Sequence, residues 1–313
     1  MGSYIAKRLA ALIPILFLIS LISFFLIYLS PGDPVDAMLS QGGAVADDEV
    51  YYETRSALGL DKPIATQYVE WVGHVLQGNL GNSITTGKPV AVELGNRLPA
   101  TVFLAFASMA LTLLISIPLG MLAAVKKDGP IDYIVRFLSF IGAAMPGFFM
   151  GLCLIYLFAI RLHVLPSLGS LSGLGWVLPV LTLALCEAAG YIRQVRTVVI
   201  KELGEDYVTA ELARGLGRRT ILFGSVFKAV LPTILVLAGM SVGQLLGGTA
   251  IVETVFGWPG VGSYAVQMIS VRDYPVVQGY VLMMALIFVL VNLVVDICHT
   301  GIDPRTRSQF ERR

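Results

Sequence analysis

The chain has 313 residues, of which 56% are hydrophobic and only 14% charged, and its mean hydropathy is +0.78. That balance leaves too little polar surface for a water-soluble domain and makes a bilayer the expected solvent. The net charge of +1 carries no nucleic-acid signal, because its meaning lies in where the charges fall.

A membrane helix needs about 20 consecutive apolar residues. The first such run, Leu9 to Leu29, follows Lys7 and Arg8. It exceeds a usual signal-peptide core and no A-x-A-like site follows it, so it reads as a retained anchor. Residues 1–29 thus form an N-terminus and first span. The segment from Ser30 to Arg97 is rich in Asp and Glu and mixes short helical patterns, such as Ile64 to Leu76, with Gly and Pro breakers. It reads as a partly ordered cap, residues 30–97. Within it, Gly87 and Lys88 only mimic a phosphate loop, since Asn82 displaces the first glycine and Pro89 stands where Ser or Thr is required.

Five further spans are expected in residues 98–313: Leu98 to Val125, Phe137 to Ile160, Trp176 to Ile192, Ala229 to Val252 and Val276 to Val295. The loop KKDGPID, Lys126 to Asp132, holds a Gly-Pro turn, and Arg161 to Gly175 is short and turn-rich. Glu187 interrupts the Trp176 to Ile192 run. Its carboxylate reads either as structural, through a hydrogen bond or a salt bridge to Arg193, or as a pathway residue meeting a positive substrate group or cation. The glycines of the next span, with Ser241, suggest close helix packing, and Gln244 and Thr249 join Glu187 as pathway candidates. Asp296, near the end of the last span, suits an interfacial or inter-subunit pairing.

Lysine and arginine concentrate in alternate loops: Lys7 and Arg8; Lys126, Lys127 and Arg136; Arg193 to Lys228; and Arg305 to Arg313. The positive-inside rule makes that side cytoplasmic, so both termini lie inside. Residues 193–228 are charged yet patterned like helices, with Val208, Leu212, Leu216 and Ile221 at three- to five-residue steps and breaks at Gly204, Gly215 and Gly217. Pattern alone fits either a short helix docking on a protein groove or an interfacial helix on lipid headgroups. Cys153, Cys186 and Cys298 lack C-x-x-C spacing, His74, His163 and His299 lack ligand spacing, and scattered methionines read as filler, so no metal site is expected.

The stretch EDYVTAELARGLGRRTILFGSVFKAVLP, Glu205 to Pro232, resembles the EAA-type coupling segment of permeases of the oligopeptide, dipeptide and nickel ABC importer family. Asp206, Tyr207, Val208, Ala213, Arg214, Gly215, Leu216, Leu231 and Pro232 match its pattern. Ala210, Glu211 and Leu212 depart from it, and the stretch before Pro232 is one residue short. LSPGDP (Leu29 to Pro34), LGLDKPIATQY (Leu58 to Tyr68), QGNLGNSI (Gln77 to Ile84), RLPATVFLA (Arg97 to Ala105), ETVFGWPGVGSYAVQMISVRDYPVVQG (Glu253 to Gly279) and DPRTR (Asp303 to Arg307) are also similar to these permeases. The resemblance implies an all-α, type I ABC importer transmembrane fold in a bacterial inner membrane. It also implies alternating access shared with a second permease, two ATPases that hold the ATP and magnesium, and an external binding protein. On this reading the chain binds no cofactor and is not itself an enzyme; peptide and nickel or metal chelate stay open as substrates. Docking on the ATPase falls to Tyr207, Ala213, Arg214, Gly215 and Leu216. The surface facing the binding protein falls to Trp258, Pro259, Gly260, Asp273 and Tyr274, with Trp258 placed at the membrane interface. The rival readings are an ion-coupled secondary transporter, which would need paired repeats and midplane charges, and an intramembrane enzyme, for which no nucleophile or base constellation is seen.

Overall fold

The computed structural model describes residues 2–29, 35, 39, 48–57 and 59–302. The motif Asp303 to Arg307, most of Leu29 to Pro34, and the side chains of Asp296, Cys298 and His299 lie outside what is described. Among the described residues the regular secondary structure is all helix, apart from a single bridge pairing Asn82 with Pro89.

The helices in chain order are α1 (Gly2–Leu29), α2 (Asp48–Ala57), α3 (Ile64–Leu76), α4 (Val90–Val125), α5 (Pro130–Ala144), α6 (Gly147–Arg161), α7 (Val177–Leu203), α8 (Asp206–Ala213), α9 (Arg218–Gly248), α10 (Ala250–Phe256), α11 (Val261–Ser270) and α12 (Tyr274–Ile302). By length and composition α4, α9 and the Tyr274–Val295 part of α12 can each cross a bilayer, and α1 contributes the apolar stretch Leu12–Phe25.

Two expectations are corrected. The span placed at Phe137 to Ile160 is not one rod, because α5 and α6 meet at a 106° bend. Pro146 is the cause: its ring excludes the preceding residue from helical backbone, and Met145 is extended at φ −82°, ψ 126°. The helix expected over Trp176 to Ile192 runs on to Leu203, so Arg193, Arg196 and Lys201 belong to α7 rather than to a loop.

The chain divides into two compact units, Met1–Thr101 with Pro259–Val289, and Val102–Trp258 with Leu290–Arg313. In the first, α3 lies on α1 through Tyr68 and Trp71 against Phe24, with ring centroids 5.3 and 5.8 Å apart, and Ser20 shares a 2.9 Å hydrogen bond with the Tyr68 hydroxyl. Val90 and Leu94 of α4 pack with Tyr264, Met268 and Val276. Asp273, wholly buried, accepts hydrogen bonds from the Ser83 hydroxyl (2.6 Å) and the Thr85 amide (3.0 Å) just ahead of α12. Arg97 pairs with Glu93 one turn away and lies 3.9 Å over the Tyr264 ring.

In the second unit α7 is the centre. Arg196 donates to both carboxylate oxygens of the fully buried Asp132, at 2.6 and 2.7 Å, pinning the start of α5 to α7. Small residues allow close approach: a Cβ on Gly120 of α4 would lie 2.7 Å from Val195, and one on Gly142 of α5 would lie 3.1 Å from Ala189. Gly239 does the same against Val295, at 2.5 Å, whereas Gly247 and Gly248 open on empty space. Packing therefore accounts for Gly239 and leaves the other two unexplained.

Candidate functional site

The turn from α7 into α9 builds a protruding helix. Leu203 ends α7, Glu205 is extended at φ −75°, ψ 149°, and Asp206 places a negative charge in the first turn of α8, where the helix dipole favours it. At the other end the Gly215 amide donates to the Leu212 carbonyl (3.0 Å) and the Leu216 amide to the Glu211 carbonyl (3.2 Å). This is a Schellman stop, and Gly215 supplies the φ of +80° that it needs.

One face of α8 is held. Val208 is buried in a cluster with Met121 and Ala124 of α4, Val195 and Val199 of α7, and Ile221, Val226, Val230 and Ile234 of α9, with Tyr207 at its edge. Two polar bonds flank that contact: the Tyr207 hydroxyl donates to Glu202 of α7 at 3.0 Å, and the Ser225 hydroxyl of α9 donates to Glu211 at 2.7 Å. Burial first, and the Glu202 carboxylate second, push the Tyr207 phenol up to about 12, so it stays a donor at neutral pH. α8 is therefore clamped to three long helices.

The other face is open. Thr209, Ala210, Leu212, Ala213, Arg214, Gly215, Leu216 and Gly217 are all exposed, with Leu212 at 45% and Leu216 at 41%. Among the residues expected to dock, Ala213, Arg214, Gly215 and Leu216 thus share the open face, while Tyr207 and Val208 face inward. Leu212 joins the open side despite departing from the family pattern; its place in the apolar period was the signal for it.

The pathway candidates separate. Glu187 on α7 is half-buried, and among the described residues it forms neither a hydrogen bond nor an ion pair, so the salt bridge to Arg193 is absent. Gln244 on α9 is exposed. Thr249 is buried and donates to Glu253, itself wholly buried, at 3.0 Å.

Residues assigned to a surface for the binding protein also separate. Gly257 at φ +60° makes a tight turn, and the Trp258 amide donates to the Glu253 carbonyl at 2.8 Å. Trp258 is only 1% exposed, with its ring stacked on Phe103 at 6.2 Å, so it is a core side chain rather than an interfacial anchor. Asp273 and Gly260 are buried as well, Tyr274 is half-buried and Pro259 is exposed. No group of three or more metal-binding side chains occurs among the described residues.

Residues 116–308 match the family model described as "Binding-protein-dependent transport system inner membrane component", and residues 1–105 match its N-terminal companion. The chain is 37% identical to a di/tripeptide transport system permease protein, DppB, of Pseudomonas aeruginosa, over 99% of this chain and all of that one. It is 35% identical to the glutathione transport system permease protein GsiC of Salmonella choleraesuis and 34% identical to that of Escherichia coli K12, each over 98% of this chain and 99% of the relative. Two inward-facing structures of the MetNI methionine ABC transporter share the fold, with TM-scores of 0.54 and 0.56 at 17% and 19% identity, over 67% of this chain and 96% of theirs.

Proposed function

The chain belongs to the family of binding-protein-dependent transport system inner membrane components and is a multi-pass permease subunit of an ABC importer; on that premise we propose that it carries short peptides, with α8 as the contact through which a separate ATPase moves it. The observation that carries the second point is the two-faced α8: one side fastened to α4, α7 and α9, the other presenting Leu212, Ala213, Arg214, Gly215 and Leu216. A clamped helix passes a push to the spans without dissipating it in a hinge.

The peptide reading rests on the di/tripeptide and glutathione names of full-length relatives, which favour short peptides over nickel or a metal chelate. Family membership also disfavours an ion-coupled secondary transporter. ATP and magnesium sit on two partner ATPases, a second permease supplies the other half of the pathway, and α8 with both termini faces the cytoplasm, where the arginine- and lysine-rich loops belong. Nucleotide state and permease conformation then bias each other, typically by about 1–3 kcal/mol. Glu187 and Gln244 are the pathway residues of this scheme; Thr249 is left out because it is buried. Pro259 and Tyr274 remain for the binding protein, because Trp258, Gly260 and Asp273 are buried.

Proteoliposomes holding this chain with its co-purified subunits, supplied with the binding protein, test the proposal. ATP-dependent uptake of tri-alanine or a dipeptide is expected; ion-driven uptake by this chain alone would refute it.

A further inference from the structure

Along α7, Glu187, Gly190, Gln194, Thr197 and Lys201 recur at steps of three and four residues, so they form one lane on the helix. Gln194, Thr197 and Lys201 are exposed, and Glu187 and Gly190 are half-buried. Glu187 lies within the expected span, where an ionisable side chain faces a partner or water, and Gln194, Thr197 and Lys201 continue the lane beyond the span's end at Ile192. Gly190, Arg193, Gln194, Thr197, Val198 and Leu237 of α9 line a groove of about 350 Å³ there. A Cβ on Gly190 would meet nothing within 4 Å, so packing inside the chain does not demand that glycine.

Two opposite charges flank the open glycine. Glu187 has no partner among the described residues, and Arg193 makes one long hydrogen bond, 3.5 Å, to the Ser139 carbonyl and no ion pair there. Six residues of helix separate them by about 9 Å along the axis. An extended chain of two or three residues spans roughly 7 to 10 Å between its termini.

Building on the peptide-importer reading, we propose that this groove, together with the Glu187 carboxylate one helical turn before Gly190 and outside the groove's lining, is a recognition site for the two ends of a short zwitterionic peptide, with Glu187 receiving the α-ammonium and Arg193 the carboxylate. The guanidinium can hold a carboxylate through two parallel hydrogen bonds, which a C-terminal amide cannot accept. Gly190 leaves room for the peptide backbone between the two charges, beside the Gln194 amide.

The test uses the complex purified with its co-assembled subunits, with Cys153, Cys186 and Cys298 replaced by alanine and Gly190→Cys introduced. A water-soluble maleimide should label position 190, and tri-alanine should slow labelling by about tenfold at concentrations where N-acetylated or C-amidated tri-alanine does not. Glu187→Gln should erase the difference between free and N-acetylated peptide, and Arg193→Gln the difference between free and amidated peptide. Thr197→Cys, in the same groove, replaces Gly190→Cys if that variant fails to assemble. A cysteine that never labels, because a sister subunit or lipid fills the groove, overturns the proposal, as does labelling that tri-alanine leaves unchanged. ATP-driven uptake of tri-alanine by the same complexes separates the two levels: uptake without protection sinks the site alone, whereas no uptake sinks the peptide reading from which it follows.

Discussion

Tyr207 donates its phenolic proton to the Glu202 carboxylate across 3.0 Å, fastening the first turn of α8 to the last turn of α7. With the Ser225 to Glu211 bond at the other end and Val208 buried between them, it makes the protruding helix an extension of the bundle.

Removing that phenol should loosen the linkage without unfolding the chain. Tyr207→Phe forfeits a hydrogen bond to a charged group on a half-buried side chain, about 1 kcal/mol, so substrate transported per ATP should fall roughly fivefold while ATP hydrolysis persists. The pH dependence has a definite sign. Because the phenol is raised from 10.0 to about 12, its contribution is complete below pH 10 and is lost as pH rises toward 12. The melting temperatures of the wild type and Tyr207→Phe complexes should differ by a constant amount below pH 10 and converge above it.

The Schellman stop gives a graded series at Gly215. An added Cβ meets nothing within 4 Å, so Gly215→Ala suffers only the left-handed backbone, about 1 kcal/mol, and Gly215→Asn less. Gly215→Pro also loses the amide that donates to Leu212 and cannot adopt a φ of +80°. Transport per ATP should decline in the order Gly, Asn, Ala, Pro, with Pro uncoupled; normal uptake by the proline variant would show that this turn is irrelevant.

Asp132 and Arg196 form a buried pair whose halves are not equivalent to solvent-exposed charges. Arg196→Gln leaves a carboxylate in a wholly buried position and should lower stability by about 3–5 kcal/mol, read as loss of assembled complex in mild detergent. Adding Asp132→Asn removes a buried charge that would keep only the Asp128 amide, at 3.0 Å, and should recover part of the yield.

Two glycines that look alike in sequence should behave oppositely. Gly120→Ala drives a methyl to 2.7 Å from Val195, an overpacking of about 1–3 kcal/mol. Gly190→Ala enters open space and should leave the melting temperature of the complex within about 1 °C of wild type.

The helical class, the apolar runs and the Gly215 stop were legible because each is written locally: hydropathy length, a three- to four-residue period, and a glycine just past a helix end. The 106° bend was masked because hydropathy counts side chains and ignores what Pro146 does to the backbone of Met145. The extension of α7 past Ile192 is hidden from hydropathy, since charges end an apolar run without ending a helix. The burial of Asp273 and Trp258 is not legible locally for a different reason. Their partners, Ser83 and Phe103, lie far away in sequence, 190 residues in the first case, so nothing nearby announced that they turn inward.

Contact between α8 and the ATPase is most directly measured by placing a photoreactive amino acid at Leu216, 41% exposed, in the intact complex. Docking of the open face requires a covalent adduct with an ATPase subunit, lost when the same group is placed at the buried Val208. Adducts confined to lipid, in complexes that still import substrate, would contradict a drive that enters through this helix.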